Sequence, residues 1–131
     1  GHSVYLYFMD HVPPAFHIYM PEQPFLELPD GPRSAGAYHS GDLAYVFGNT
    51  DKVGVDWSDD DHALSKMLVL HWTNFAKTGD PNASGDARWP AFNRHSLTTR
   101  MLNPTPSTVS GVKKRALEIF ASRQPFVPLL E

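Results

Sequence analysis

The chain has 131 residues, 41% of them hydrophobic and 12% aromatic, which predicts one globular domain with a hydrophobic core and argues against an intrinsically disordered chain. Its net charge at pH 7 is -3 and its basic residues are scattered apart from Lys113-Lys114-Arg115, so the charge pattern argues against nucleic acid or an anionic membrane as a partner. It has no cysteine, which excludes a disulfide framework and a thiolate metal site but leaves the compartment unknown, and it has no apolar run long enough for a membrane span.

The first predicted element is a strand over residues 4–9. The run Val4-Tyr5-Leu6-Tyr7-Phe8-Met9 is apolar without alternation, which is typical of a strand buried on both faces of a parallel sheet. Asp10-His11 and Pro13-Pro14 end it. No other stretch reads as a parallel partner. We therefore expect the neighbouring strands to lie upstream of Gly1 and the chain to be a piece of a larger protein.

The next stretch contains a candidate catalytic histidine. Six prolines between residues 13 and 32 predict an extended covering loop. His39 then lies on a glycine-bounded loop, with an acid, Asp42, three residues later. An α/β fold places catalytic groups on such loops, outside the carboxyl ends of its strands. The alternative is a loop histidine that caps a nearby helix. Residues 42–47 fit either a short helical turn or an extended segment.

The clearest predicted element is a helix from about Asp60 to Lys77. Asp59, Asp60 and Asp61 favour a helix start, and Gly79 favours an end. Six residues form one stripe at helical spacing: Leu64, Met67, Leu68, His71, Trp72 and Phe75.

The last third predicts a turn, an anchor, a strand and a helix. Residues 78–82 carry a strong turn signal, and Trp89-Pro90 follows as an aromatic anchor. Residues 98–102 suggest a short edge strand that Pro104 and Pro106 end. Residues 112–123 predict a terminal amphipathic helix whose inward residues are Val112, Ala116, Ile119 and Phe120.

No second catalytic group is obvious in the sequence. Ser34 lacks the glycine spacing and the strand-turn-helix context of a nucleophile elbow, so we interpret it as an ordinary loop serine. Asp30 and Asp42 can each orient an imidazole, although Asp42 fits the start of a local turn equally well. His71 lies on the apolar stripe and is interpreted as a core residue. The other histidines lack a second ligand at metal spacing, so we expect no metal site.

Three motifs together closely resemble the C-terminal part of the type-B carboxylesterases, the α/β-hydrolases that include cholinesterases, bile-salt-activated lipases and para-nitrobenzyl esterases. The motifs are Gly36-Ala37-Tyr38-His39-Ser40-Gly41-Asp42 through Tyr45-Val46-Phe47-Gly48, then His71-Trp72-Thr73-Asn74-Phe75-Ala76-Lys77-Thr78-Gly79-Asp80-Pro81-Asn82, then Trp89-Pro90. The resemblance covers nearly the whole chain, since residues 4–8 also resemble the eighth strand of that family and the terminal helix its final helix.

The resemblance implies an α/β fold, with residues 1–131 forming the C-terminal segment of one α/β-hydrolase domain that upstream residues complete. It implies hydrolysis of carboxylic esters by a Ser-His-Glu/Asp triad through an acyl-enzyme, without a cofactor. His39 maps onto the catalytic base. Asp42 stands where relatives carry a glutamate, a buried acid near the site. Tyr38 is a candidate to line the acyl or alcohol pocket, with a packing role as the alternative.

The implied partners are the remainder of the same esterase, which would carry the serine and the acid, and a small-molecule ester. On this interpretation the segment alone is inactive. One alternative is a non-catalytic esterase-like adhesion or interaction module, because some members of the family keep the fold and the histidine without the serine. Another is a small binding domain that folds separately.

Overall fold

A computed structural model describes residues 2–14, 36–52, 54–82 and 88–123. The predicted proline-rich loop, with Ser34 and Asp30, lies mostly outside these residues. The elements in chain order are strand β1 (Tyr7–Met9), helix α1 (Leu43–Val46), helix α2 (Asp59–Thr78), strand β2 (Thr98–Leu102), strand β3 (Ser107–Ser110) and helix α3 (Lys114–Arg123). Within the described part of the chain, no helix is long and apolar enough to cross a membrane.

The three strands form one mixed sheet in the order β1-β2-β3. β1 pairs with β2 in parallel, from Tyr7 opposite Arg100 to Met9 opposite Leu102. β2 pairs with β3 in antiparallel fashion. Two expectations were therefore wrong: the chain does contain a parallel partner for β1, and β2 is the central strand of this sheet. A five-residue strand is too short for its pattern to reveal either its direction or its neighbours.

The first strand is shorter and less buried than its apolar pattern predicts. Only Tyr7–Met9 is regular strand, and Leu6 and Tyr7 are 43% and 38% exposed. The sequence predicts that residues upstream of Gly1 supply neighbours of this strand, and within the described residues its apolar side chains stay partly exposed. β2 pairs with one edge of β1, and no described strand pairs with the other. An apolar pattern shows which surface a strand is suited to bury, but it does not show where the covering atoms come from.

Helix α2 confirms its prediction and begins and ends at residues with identifiable capping chemistry. Ser58 is the N-cap, and a capping box joins it to Asp61. At the other end Gly79 has φ 75°, the left-handed conformation that favours glycine, and its N–H donates to the Phe75 carbonyl at 2.8 Å. The 20-residue helix therefore begins and ends within one residue of the predicted limits.

The core lies where α1 and α2 meet the sheet. Its centre consists of Tyr45, Leu64, Leu68 and Leu102, none more than 1% exposed. Residues 43–46 are helical, which resolves the choice that the sequence left open, and Tyr45 reaches from α1 into this core. Because α1 follows directly on the loop that carries His39, packing of α1 against α2 fixes one end of that loop.

The C-terminal part differs from prediction in two ways. Pro104 and Pro106 end β2 as expected, but the chain then turns back as β3, which the sequence did not suggest. Helix α3 exists, yet none of its described residues is buried, and Ile119 and Phe120 are 48% and 67% exposed. Their predicted inward position is therefore wrong for the described residues. An amphipathic pattern fixes the apolar face of a helix but not whether this chain covers it.

Candidate active site

His39 lies at the corner of a tight turn. The Gly41 N–H donates to the Tyr38 carbonyl at 3.0 Å, which closes a four-residue turn with His39 and Ser40 at its centre. Ser40 has φ 65°, the positive value that the third position of a type II turn requires. Gly36, with φ 64°, begins the loop. The His39 side chain is consequently exposed at the outside of the turn.

Close packing explains why residue 41 is glycine. A Cβ at this position would lie 3.0 Å from the Tyr38 carbonyl oxygen and 3.1 Å from Pro13 Cγ, so a side chain would require both neighbours to give way slightly. Pro13 itself is fully buried and follows β1 by four residues. The contact therefore holds the His39 loop against the segment that leaves the carboxyl end of β1.

Asp42 ties the same loop to β1. The Tyr7 hydroxyl donates to Asp42 Oδ2 at 2.9 Å. Partial burial, together with this bond and the Asp42 charge, raises the pKa of Tyr7 to about 12. Asp42 is half-buried, and its side chain does not cap α1. In the structure its carboxylate therefore positions the loop, and among the described residues it makes no hydrogen bond to His39.

A buried hydrogen-bonded cluster lies behind the loop. Asp61 Oδ1 accepts from the Tyr45 hydroxyl at 2.7 Å and lies 2.6 Å from His11 Nε2. Asp61 Oδ2 accepts from the backbone N–H and the hydroxyl of Ser58 at 2.9 and 2.6 Å. Burial opposes ionisation of Asp61, but the bonds from Ser58, His11 and Tyr45 outweigh it and lower the pKa of Asp61. Burial and the same carboxylate raise the pKa of Tyr45.

The side chain of His39 is available for contacts beyond this part of the molecule. No hydrogen bond or ion pair reaches its ring from residues 2–14, 36–52, 54–82 or 88–123. Tyr38 is half-buried and its ring lies over Gly41. Across the same residues, no group of three or more histidine, cysteine or acidic side chains is arranged to hold a metal ion. His39 therefore presents an exposed imidazole on a loop whose following residues, Gly41 and Asp42, contact the β1 segment.

His71 behaves as a core residue, as the sequence predicts. It is 1% exposed, and its Nδ1–H donates to the Pro81 carbonyl at 2.8 Å. Its ring packs edge-on against Trp89, with ring centroids 5.6 Å apart. The buried histidine therefore holds the end of α2 and the Trp89 segment together, and it contributes nothing to the His39 loop.

The groups that hold the His39 loop could not be identified from the sequence. Tyr7 and Asp42 are 35 residues apart, and His11 and Asp61 are 50 residues apart. Pairs at such separations follow no local spacing rule. The capping box between Ser58 and Asp61 was the one signal available, and it points to the helix start rather than to the loop.

Comparison with known proteins relates this arrangement to one family. The sequence profile described as "Carboxylesterase family" matches residues 1–120. Human bile salt-activated lipase is 43% identical over 63 residues, which are 48% of this chain and 8% of that protein. Carboxylesterase 4A of Bos taurus is 32% identical over 107 residues, or 77% of this chain and 17% of that protein.

Solved structures give the same result for the fold. A thermophilic PNB esterase superimposes with a TM-score of 0.67 at 25% identity, covering 88% of this chain and 21% of the esterase. The chain thus spans about a fifth or less of the length of these relatives. Its small mixed sheet and helices form part of an α/β-hydrolase fold, as the sequence predicts, and the chain belongs to the carboxylesterase family.

Proposed function

We propose that this chain is the C-terminal segment of a serine carboxylesterase and that it supplies the general base, His39, to a Ser-His-acid triad. The serine and the acid would lie in the remainder of the same esterase. The observation that carries the proposal is the exposure of His39 at the corner of a backbone-closed turn whose following residues, Gly41 and Asp42, are anchored to the β1 segment. A catalytic base must be both accessible to its partners and held still.

The position of the loop supports the same role. Pro13, four residues beyond the end of β1, packs against Gly41 and so places the loop at the carboxyl end of a parallel strand. Catalytic groups of α/β folds gather at this edge of the sheet. The bond from Tyr7 to Asp42 fixes the residue that follows the turn. Movement of His39 is then restricted mainly to rotation of its side chain.

The chemistry follows from what a neutral imidazole can do. His39 would accept the proton of the serine hydroxyl as the oxygen attacks the ester carbonyl, and the resulting imidazolium would donate that proton to the leaving alcohol. In the second half of the reaction His39 would take a proton from water as the water attacks the acyl-enzyme. The proton returns to the serine when the carboxylic acid leaves, so the enzyme is regenerated.

Two further residues have proposed roles beside the base. Asp42 would act through loop position, because Tyr7 already occupies one of its oxygens. Tyr38 precedes the base and is half-buried, which suits a wall of the acyl or alcohol pocket.

The proposal predicts a difference between the segment and the whole protein. The full-length protein is expected to hydrolyse a simple chromogenic ester such as p-nitrophenyl butyrate. The isolated 131-residue chain is expected to give no turnover above the uncatalysed rate, because it contains the base without the serine and the acid. Both proteins are assayed at the same concentration by release of p-nitrophenol.

Either of two results would contradict the proposal. Turnover by the isolated chain would mean that its nucleophile lies within these 131 residues. A folded full-length protein without turnover on any ester would instead favour the non-catalytic interaction module. The residue at the nucleophile elbow of the full-length protein provides an independent check, because the module predicts a replaced serine.

A further inference from the structure

The carboxylate of Asp61 accepts more hydrogen bonds than helix capping requires. It is 4% exposed and takes four contacts within 2.9 Å, two at each oxygen. Hydrogen bonds to a charged acceptor are shorter and stronger than those between neutral groups. Because a carboxylate oxygen only accepts, His11 must carry its proton on Nε2 where it meets Oδ1. The cluster is therefore a fully paired charged group in the interior.

The two oxygens of Asp61 serve different parts of the structure. Among the described residues, the partner of Oδ2 is Ser58, three residues away, and this contact completes the capping box of α2. Oδ1 binds Tyr45 and His11, which are 16 and 50 residues away. Oδ2 therefore stabilises the start of α2, whereas Oδ1 joins α2 to the two segments that contain Tyr45 and His11. This division allows the two functions to be tested separately.

Both long-range partners of Asp61 belong to segments that hold the His39 loop. Tyr45 lies in α1, which begins at Leu43, immediately after Asp42. Ser65, also on α2, donates from its hydroxyl to the Tyr45 carbonyl at 3.0 Å, so α1 is tied to α2 at two points. His11 lies two residues before Pro13, the residue packed against Gly41. Asp61, on α2, thus links the segment that contains His11 and Pro13 to α1, the helix that follows the His39 loop.

We propose that Asp61 is a positioning residue for the general base: through Tyr45 and His11 it holds the two segments that fix the His39 loop, and so sets the placement of His39 in the reaction. The inference rests on the proposed esterase function. Asp61 itself touches neither His39 nor a substrate in this arrangement. Its effect on the reaction is therefore an effect on geometry, which appears in kcat rather than in ground-state binding of the ester.

Tyr45→Phe and His11→Ala in the full-length enzyme test this role. Each removes one donor from Oδ1 and leaves the capping bonds of Oδ2 in place. We expect each to lower kcat roughly tenfold or more, with KM within about twofold of the parent value. The reason is that a displacement of about 1 Å in a catalytic group can cost about 100-fold. kcat is measured per active site, counted by titration with a serine-directed phosphonate.

Ser58→Ala is the matched control, because it removes the hydroxyl that donates to Oδ2 and accepts from the Asp61 N–H, while the Ser58 backbone N–H and both partners of Oδ1 stay in place. It is expected to lower the melting temperature by a few degrees and to leave kcat within about twofold of the parent value. Equal losses of kcat in Ser58→Ala and in the two Oδ1 variants would overturn the positioning role, because stability alone would then explain them. Unchanged kcat in both Tyr45→Phe and His11→Ala would overturn it as well.

Comparison of His39→Ala with the Oδ1 variants allows the positioning role of Asp61 and the proposed function to be rejected separately. If His39→Ala abolishes turnover while the Oδ1 variants keep it, the general base stands and the positioning role fails. If His39→Ala retains turnover, the proposed function fails whatever Asp61 does. His11 is 20% exposed and outside the core, so His11→Ala keeps the test decisive even if Tyr45→Phe does not fold.

Discussion

His39→Ala in the full-length enzyme is expected to lower kcat/KM for p-nitrophenyl butyrate by about 10⁴- to 10⁶-fold. Losses of this size occur in serine hydrolases when the triad histidine, or the acid that sets its tautomer, is replaced. Alanine cannot take the serine proton, so both acylation and deacylation lose their base. The turn itself should survive, because it is closed by backbone atoms of Tyr38 and Gly41 and not by the imidazole. KM and kcat are measured from initial rates.

His95→Ala is the control for that experiment. His95 is also exposed and also lies in a turn, and only its backbone N–H is bonded, to Asn93 Oδ1 at 2.8 Å. Its replacement should leave kcat/KM within about twofold of the parent value, as for a surface change without partners. A His39→Ala variant with turnover close to that of His95→Ala would refute the assignment of the base.

The largest expected loss of stability comes from Trp89→Ala, at about 3–5 kcal/mol in the free energy of unfolding. Trp89 is 3% exposed and its indole Nε1–H donates to the Leu6 carbonyl at 3.2 Å. Its ring also contacts Tyr7, with centroids 6.0 Å apart, and His71. Removing the indole opens a cavity between β1 and α2 and leaves the Leu6 carbonyl without this donor. Urea unfolding of the full-length enzyme measures the change.

Trp89→Phe provides the comparison. The backbone bonds to Asn82, at 2.6 and 3.0 Å, stay in place in both variants, because they use the N–H and carbonyl of residue 89. Phenylalanine keeps an aromatic ring in the site and loses the indole N–H. A smaller loss than for alanine is therefore expected. An unchanged free energy of unfolding in Trp89→Ala would contradict the anchoring role.

Local chemistry explains which parts of the fold were predictable. Helix α2 combines a capping residue at Ser58, acids in its first turn and a glycine at its end, so every level of the sequence favours the same helix. The burial of Trp89 and His71 also follows, because each lies in an apolar context with room for its polar atom to find a backbone partner. The residues that determine where these elements begin and end, and which face is buried, are close together in the sequence.

The features that could not be predicted depend on contacts between residues far apart in the chain. β1 and β2 are about 90 residues apart, and a parallel pairing at that separation leaves no trace in either run. The apolar faces of β1 and α3 follow from the sequence pattern, but the source of the atoms that cover them does not, and within the described residues both faces stay partly exposed. Likewise, His39 could be singled out from its glycine loop, whereas Tyr7 and Asp61, which hold that loop, could not.

The exposed apolar surfaces of this chain also fit a segment of a larger esterase domain. Leu117 and Phe120 on α3 are 61% and 67% exposed, and Leu6 beside β1 is 43% exposed. The chain spans only 8% to 21% of the relatives compared above. The remainder of an esterase domain is a partner with enough apolar surface to cover such faces. The same partner would bring the serine and the acid to His39.

The role of His39 as the general base is tested most directly by the distance from His39 to the reactive serine in a crystal structure of the full-length enzyme with a bound phosphonate or ester analogue. We expect an imidazole nitrogen of His39 within about 2.6–3.2 Å of the oxygen of that serine, with a carboxylate bonded to the other ring nitrogen. If the reactive serine is instead paired with a different histidine, and His39 faces solvent or a packing contact, His39 is not the general base.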